Sequence, residues 1–382
     1  MTTTSQLDGT ALRYQLMERA AKLSDVISLG RGDPDLATPA HIVQAAKDAA
    51  TRGDLALSSS EGLPELRRAI ADKLLRENHL PVGEENILVT TGGQEALFLL
   101  IQTLLDPGDE ILIPDPRYTS YDQAIEMAGG KTVLVPTTEE DAFDLDADEI
   151  LRRITPRTKA ILIVTPSNPT AGIVTEKNLK RIAAIARERN LIVVADEIYE
   201  KFVWDGWTHF SIGSLLGMAE RTITLNGFSK TYAMTGWRVG YIAAPIEFIA
   251  SLARHKQVTN LAAPTLSQWA AHAALTGPQT CVDEFRAIYR ERRAFVREQL
   301  DEMGWTYGDP RGAFYIFANT RATGRNSTEL AFDLLEQARV LLFPGTGFGE
   351  GWDDYVRISL LQPQAKLVEA FRRIRDASIH WK

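Results

Sequence analysis

The chain reads as an α/β protein, with a mainly parallel seven-stranded sheet in a large domain and a small α+β domain beside it. Three observations predict this. Seven short apolar runs, most with β-branched residues, recur through the middle of the chain. Amphipathic helical patterns or long loops separate them, the alternation expected of a sheet covered on both faces. Beyond residue 280 that alternation gives way to long helices mixed with isolated strands.

In chain order, residues 1–44 hold one helical stretch and a Gly/Pro-rich turn, "LGRGDPDLATP". The apolar runs come next: "NILVTT", "EILIPD", "TVLVPT", "AILIVTP", "LIVVADE", "TITLNG" and "VGYIAA". Between two of them, "TEKNLKRIAAIARERN" predicts a helix with Leu179, Ile182, Ala183 and Ala186 on its apolar stripe and Thr175 as N-cap. From Cys281 a long amphipathic helix is expected, with Phe285, Ile288, Phe295 and Leu300 near one face and Gly304 to terminate it. "GAFYIFAN", a helix over "STELAFDLLEQA", "YVRISL" and a last helix complete the chain. The expected division is a large domain over 45–280. Residues 1–44 and 281–382 together form the small one.

Composition bounds the function. The 382 residues are 45% hydrophobic, enough for a large core and more than one domain. A net charge of −8 argues against a broad nucleic-acid surface. The single cysteine, Cys281, rules out an internal disulfide and fits a reducing cytosol. The opening "MTTTSQLDGT" lacks a signal-peptide apolar region, and no apolar stretch approaches the roughly 20 residues needed to cross a bilayer. A cytoplasmic protein without membrane association is expected.

In open α/β sheets functional groups collect beyond the carboxyl ends of the strands. Four polar clusters lie there. In "TTGGQEALFLL" a Gly-Gly turn opens a helix, so Gly92, Gly93 and Gln94 can aim backbone N–H groups at an anion. A purely structural turn reads the same way. In "VTPSNPTAG", Asn168 stands between two prolines, either as a rigidly aimed amide or as an ordinary Asx turn. In "VVADEIYE", Asp196 follows a buried-looking run and requires a cation or a donor, with Tyr199 three residues on. In "TLNGFSKTYAMTGWRVGY", Lys230 follows an apolar strand and Arg238 lies eight residues further. A half-buried lysine beside another cation gives up its proton more easily and becomes a nucleophile. An anion cradle, a buried acid, a phenol, an amide, a lysine and an arginine together suit pyridoxal phosphate, a phosphorylated aromatic aldehyde bound through an imine.

With these segments in this order, the chain resembles the fold-type I pyridoxal-phosphate enzymes of the class I/II aminotransferase family. The resemblance runs from about Leu29 to Leu361. "LGRGDPD", "TTGGQEAL", "PSNPTAG", "VADEIY", "FSKTYAMTGWRVGY" and "YVRISL" carry it. It implies that Lys230 forms the imine with the cofactor and acts as general acid–base. It implies that Asp196 pairs with the ring nitrogen, and that Asn168 and Tyr199 bond the ring oxygen. Tyr118, in "PRYTSY", matches an aromatic that stacks on the ring. Gly92, Gly93, Gln94, Ser229 and Arg238 match the phosphate site. Arg357 matches the arginine that forks onto the substrate α-carboxylate, with Gly32 and Asn168 beside it. The implied activity is ping-pong transfer of an amino group from an L-amino acid to a 2-oxo acid, in a homodimer.

Three departures stand out. Gly227 replaces the first serine of the family's Ser-x-Ser-Lys. Leu57, in "LALSSSEGLPEL", stands where members often carry a tyrosine that reaches the partner's phosphate, with Ser58 to Ser60 as possible substitutes. "NPTAG" replaces "NPTG". Gln94 stands where one dicarboxylate-specific subgroup has lysine, so a neutral or aromatic donor is favoured and aspartate is a further option. Arg13, Arg31 and Arg117 are candidates for a distal anion, against the plainer reading of each as a surface arginine. The Leu57 segment and "VTNLAAPTLSQ", around Asn260, are candidate contributions to a partner subunit's site. Two rival readings remain. The same scaffold supports β-elimination and decarboxylation. A non-catalytic cofactor-binding regulator is the second, but only about 28 residues precede "LGRGDPD", and Lys230 and Arg357 are both present.

Overall fold

The structure, a computed structural model, describes residues 9–378. The seven apolar runs form β2 (Ile87–Thr90), β3 (Glu110–Asp115), β4 (Lys131–Pro136), β5 (Thr158–Val164), β6 (Ile192–Asp196), β7 (Thr222–Gly227) and β8 (Gly240–Ala243). They make one sheet in the order β2-β8-β7-β6-β5-β3-β4. β8 runs antiparallel to both its neighbours and every other pair is parallel.

Period-2 alternation explains why the strands read as continuous apolar runs, because each face meets helices. Ile111, Ile113 and Leu162 face α4 (Gly93–Leu104), α5 (Ser120–Met127) and α8 (Ile246–Thr259), meeting Leu97, Ala124 and Leu252. Leu112, Ile161 and Ile163 share a core with Ile150 of α6 (Ala147–Arg153) and Leu179 and Ile182 of α7 (Glu176–Glu188). Thr175 caps α7 as expected, accepting from Asn178 N at 3.4 Å.

Before this sheet come α1 (Gly9–Ala21), β1 (Ile27–Ser28), α2 (Ala40–Arg52) and α3 (Pro64–Asn78). After it come α9 (Thr265–Thr276), α10 (Thr280–Glu302), β9 (Thr306–Tyr307), β10 (Tyr315–Asn319), α11 (Ser327–Asp333), β11 (Val340–Leu341), β12 (Phe343–Pro344), β13 (Tyr355–Ser359) and α12 (Gln364–Ser378). A second, antiparallel sheet has the order β12-β13-β10-β9. β1 pairs with β11, so the N-terminal segment is tied to the C-terminal part, and Leu16, Ile27 and Leu29 join its core. The division expected at 44/45 falls inside α2. Ile42 and Ala46 of that helix pack with Leu66 of α3 and Ala270 of α9.

The long helix begins and ends as expected, with Gly304 in the left-handed region at φ +69°. Its buried face differs. Phe285, Tyr289, Arg292, Val296 and Leu300 are buried, while Ile288 and Phe295 are half-exposed. A hydrophobicity stripe misses the charged member of the row. Arg292 is buried because Asp35 takes both its terminal nitrogens, at 2.7 and 2.9 Å. No helix among the described residues is long and apolar enough to cross a membrane.

Candidate active site

β2, β6 and β7 end on the same side of their sheet, and the segment after each strand opens onto one cavity of about 630 Å³. Every residue assigned to the cofactor or the substrate from the sequence lines this cavity except Gly92, which lies directly beneath Arg238. Arg357 reaches it from β13, so the two sheets share the site.

At one end, α4 begins at Gly93. Gly92 has φ +80°, and a Cβ there would lie 2.8 Å from Arg238 Nη2. Only glycine therefore lets the guanidinium sit against the helix N-terminus. Arg238 donates to the carbonyls of Thr235 at 3.1 Å and Thr91 at 3.4 Å. The turn is braced from behind. The Glu95 carboxylate accepts from Thr91 N and, at 2.9 Å, from the wholly buried ammonium of Lys256. Asn260 donates to Thr91 Oγ1 at 2.7 Å, so this residue, expected to serve a partner subunit, bonds to its own chain's anion turn. Leu57 is well exposed and outside the cavity, and Ser58 accepts from Gln268 at 2.9 Å.

The Gly227 departure has a local cause. Gly227 pairs with Gly240 across β7 and β8, and a Cβ at 227 would sit 3.2 Å from Gly240 Cα. A Cβ at Gly240 would in turn lie 3.0 Å from the Gly92 carbonyl carbon. The three backbones approach so closely that a side chain at 227 or 240 would require its neighbour to give by a few tenths of an ångström.

Asp196, the last residue of β6, accepts from Tyr121 Oη at 2.6 Å and from Ile198 N at 3.2 Å. Burial raises its pKa, and the two donors oppose that rise. Tyr121 was not anticipated from sequence. The available signal was its place three residues after Tyr118, whose ring it meets edge-on at 6.0 Å. Tyr199 and Tyr315 share a hydroxyl–hydroxyl bond of 3.1 Å. A Cβ at Gly32 would fall 2.5 Å from Tyr315 Oη, so glycine is required where that phenol approaches. Tyr315 and Asn226 also line the cavity and were likewise missed. Both lie within strands, where the side chain's face depends on register.

Lys230 Nζ donates to the Gly32 carbonyl at 2.7 Å. Its pKa is pushed down to about 8, chiefly by burial; nearby Asp33 opposes this, while Arg357 and Arg238 reinforce it. The amine is thus far easier to deprotonate than a surface lysine. Arg357 donates through Nη1 to Asn168 Oδ1 at 2.8 Å and through Nη2 to the Gly30 carbonyl. Its Nε is buried and has no hydrogen-bond partner among the described residues. Of the three further arginines, Arg31 is exposed and pairs with Asp33 at 3.0 Å. Arg117 is held between Asp115 at 2.6 Å and Asp122 at 2.8 Å. Arg13 is buried and lines the cavity, which corrects its reading as a surface residue.

These residues fit pyridoxal phosphate. The glycine-floored cradle beside Arg238 suits a phosphate, and the lowered lysine suits an aldehyde. A site of this kind defines a class of enzyme built on that cofactor, and comparison with known proteins places the chain within it. The family model for aminotransferase class I and II matches residues 24–374. The chain is 44% identical to the aspartate aminotransferase of Pyrococcus abyssi, over 94% of this chain and 93% of that protein. It is 42% identical to aromatic-amino-acid aminotransferase 2 of Thermococcus litoralis, with the same coverage of 94% and 93%. The solved structure of Thermus thermophilus aspartate aminotransferase with maleate superposes with a TM-score of 0.92 at 37% identity, covering 98% of this chain and 97% of that one. The chain belongs to the class I and II aminotransferase family. It is a pyridoxal-phosphate-dependent aminotransferase of fold type I.

Proposed function

We propose that this cavity transfers an amino group from an L-amino acid to a 2-oxo acid by ping-pong turnover, each side chain taking a separate role. Bound at the site, pyridoxal phosphate supplies the carbonyl that takes up the amino group and the ring that delocalises charge from the substrate Cα. Gly92, Gly93, Gln94, Ser229 and Arg238 would hold its phosphate. Asp196 would keep the ring nitrogen protonated, Asn168 and Tyr199 would serve the ring oxygen, and Tyr118 would lie against the ring.

Arg357 forks onto the α-carboxylate, with Asn168 and Gly32 beside it, and so fixes which bond at Cα is presented. Lys230 anchors the cofactor and then, as a free amine, removes and returns the proton at Cα. The observation that carries this reading is Lys230, with its pKa near 8, in the same cavity as Arg357 and Asp196. The donor is a neutral or aromatic amino acid with aspartate also accepted, and pyruvate or 2-oxoglutarate is the acceptor. The names of the relatives, aspartate and aromatic aminotransferases, support that range.

The working form is a cytoplasmic homodimer. Exposed Leu55, Leu57 and Leu261 support an interface, and Thr265 bonds the Ala56 carbonyl between the first two. The large domain spans α2 to α9, and the small one combines α1, β1 and the chain from α10 onward.

The test is the visible spectrum of the protein titrated with single amino acids in the absence of keto acid. Loss of the imine band, restored by a 2-oxo acid, is expected. A band that no amino acid converts, with ammonia released instead, would overturn transamination.

A further inference from the structure

We infer that Lys256 is a positioning residue for the cofactor phosphate. Its ammonium cancels the charge of Glu95, the carboxylate that holds the anion turn, so that the turn can receive a second anion. The inference rests on the reading of that turn as the phosphate cradle.

The turn is held at one residue, Thr91, from three directions. Glu95 Oε2 accepts from its backbone N–H, Asn260 Nδ2 donates to its hydroxyl at 2.7 Å, and Arg238 Nη2 donates to its carbonyl at 3.4 Å. Lys256 stands behind two of these holds. Its Nζ donates to Glu95 Oε2 at 2.9 Å and to Asn260 Oδ1 at 3.0 Å. The ammonium comes from α8 and is wholly buried, and the Glu95 side chain is only 13% exposed.

Charge gives this arrangement a role beyond bracing. Glu95 is the third residue of α4, in its first turn. A carboxylate there is favoured by the positive end of the helix, the same end that favours a phosphate. Two anions at one helix start repel each other, and more strongly away from bulk water. Glu95 alone would fix the backbone of the cradle and oppose its ligand. With Lys256 on the oxygen that also holds Thr91, the pair is neutral. Arg238, which donates to the carbonyls of Thr235 and Thr91, is then left to meet the phosphate.

The test compares pyridoxal phosphate with pyridoxal, which lacks the phosphate, each titrated into the full-length apoprotein and followed at the imine band. Lys256→Met leaves Glu95 uncancelled. The preference for the phosphorylated compound should fall about 10-fold or more, the scale of one uncancelled charge near an anion, while the affinity for pyridoxal barely changes. Lys256→Met combined with Glu95→Gln is neutral again and should recover most of the preference. Equal weakening of both compounds by Lys256→Met, or a double variant that stays as low as the single one, would overturn the role and leave a structural brace. Should Lys256→Met not fold, Asn260→Asp decides, because it keeps the buried ammonium and sets a second carboxylate on it. The preference should fall there too, and an unchanged one would overturn the inference. A wild-type apoprotein that takes both compounds equally well would overturn the reading of the cradle and this inference together.

Discussion

Tyr121 donates its phenolic hydrogen to Asp196 Oδ2 at 2.6 Å, at the floor of the cavity and from the helix that follows Tyr118. Burial raises the pKa of Asp196, and this bond is the first of the influences that oppose it. A residue that has no place in the family resemblance thus favours the charged form of this carboxylate against its burial. Tyr121→Phe should weaken binding of pyridoxal phosphate to the apoprotein about 10- to 150-fold, the range for one bond to a charged group. The pH at which the imine band titrates should shift as well, which a purely structural role would not produce. An unchanged band titration together with unchanged affinity would remove Tyr121 from the site's electrostatics.

The Lys230 amine has its pKa pushed down to about 8. Only the neutral amine attacks an aldehyde, so imine formation in the apoprotein should speed up through about pH 8 and then level off. An ordinary lysine would keep gaining towards its usual range near 10.4. Stopped-flow absorbance of the apoprotein mixed with pyridoxal phosphate reads this directly. The linkage has a definite sign. Between about 8 and the ordinary range the unfolded chain holds a proton that the folded apoprotein has released, so this group's contribution to stability grows as pH rises through that window.

Arg357→Lys keeps the charge and loses the fork. It should lower kcat/KM about 100-fold for every amino acid alike, because the α-carboxylate is common to all. Steady-state kinetics on alanine, phenylalanine and glutamate check this. A loss confined to one of them would contradict the assignment of Arg357 to the α-carboxylate.

Away from the site, Lys73 and Glu200 form a buried ion pair, with Asn78 donating to the same carboxylate at 2.6 Å. Burial works to raise the Glu200 pKa, but Lys73, together with His209 and Lys201, outweighs it and brings the pKa down to about 2. Removing one partner strands the other, so Lys73→Met should destabilise the fold by about 3–5 kcal/mol in urea unfolding. A folded pKa below the ordinary one means that this stabilisation is full above the usual carboxylate range. It is lost as pH falls from about 4.5 towards 2. Lys73→Met should flatten that acid-side decline; a variant as stable and as acid-sensitive as wild type would show that the pair contributes nothing.

Much of the cavity lining was legible because the groups suited to a phosphorylated cofactor sit at strand ends. Asp196 closes β6, Lys230 follows β7, and Gly92–Gly93 follow β2, each flagged by a polar residue interrupting an apolar run. Tyr121, Tyr315 and Asn226 were hidden for a different reason. Each sits inside a helix or strand where a polar or aromatic residue is unremarkable, and only the packing shows which way it points. Arg292 escaped in the same way, since a buried arginine reads as a break in an apolar stripe until Asp35 is found beside it.

The sequence by itself determined the order of strands and helices, the two-faced sheet and the set of groups that gather at the cavity, and its motifs in their order carried the family resemblance. Those follow from local periodicity and from residue types at strand ends, which are properties of neighbours in the chain. Only the tertiary structure decided which arginine enters the cavity, which phenol reaches Asp196, and how tightly the Gly227 backbone is stacked on its neighbours. Those are distances between residues far apart in sequence: Arg13 meets Thr119, Tyr121 meets Asp196, and Gly227 meets Gly240 while Gly240 meets Gly92. Contacts of that kind arise only when the chain closes on itself.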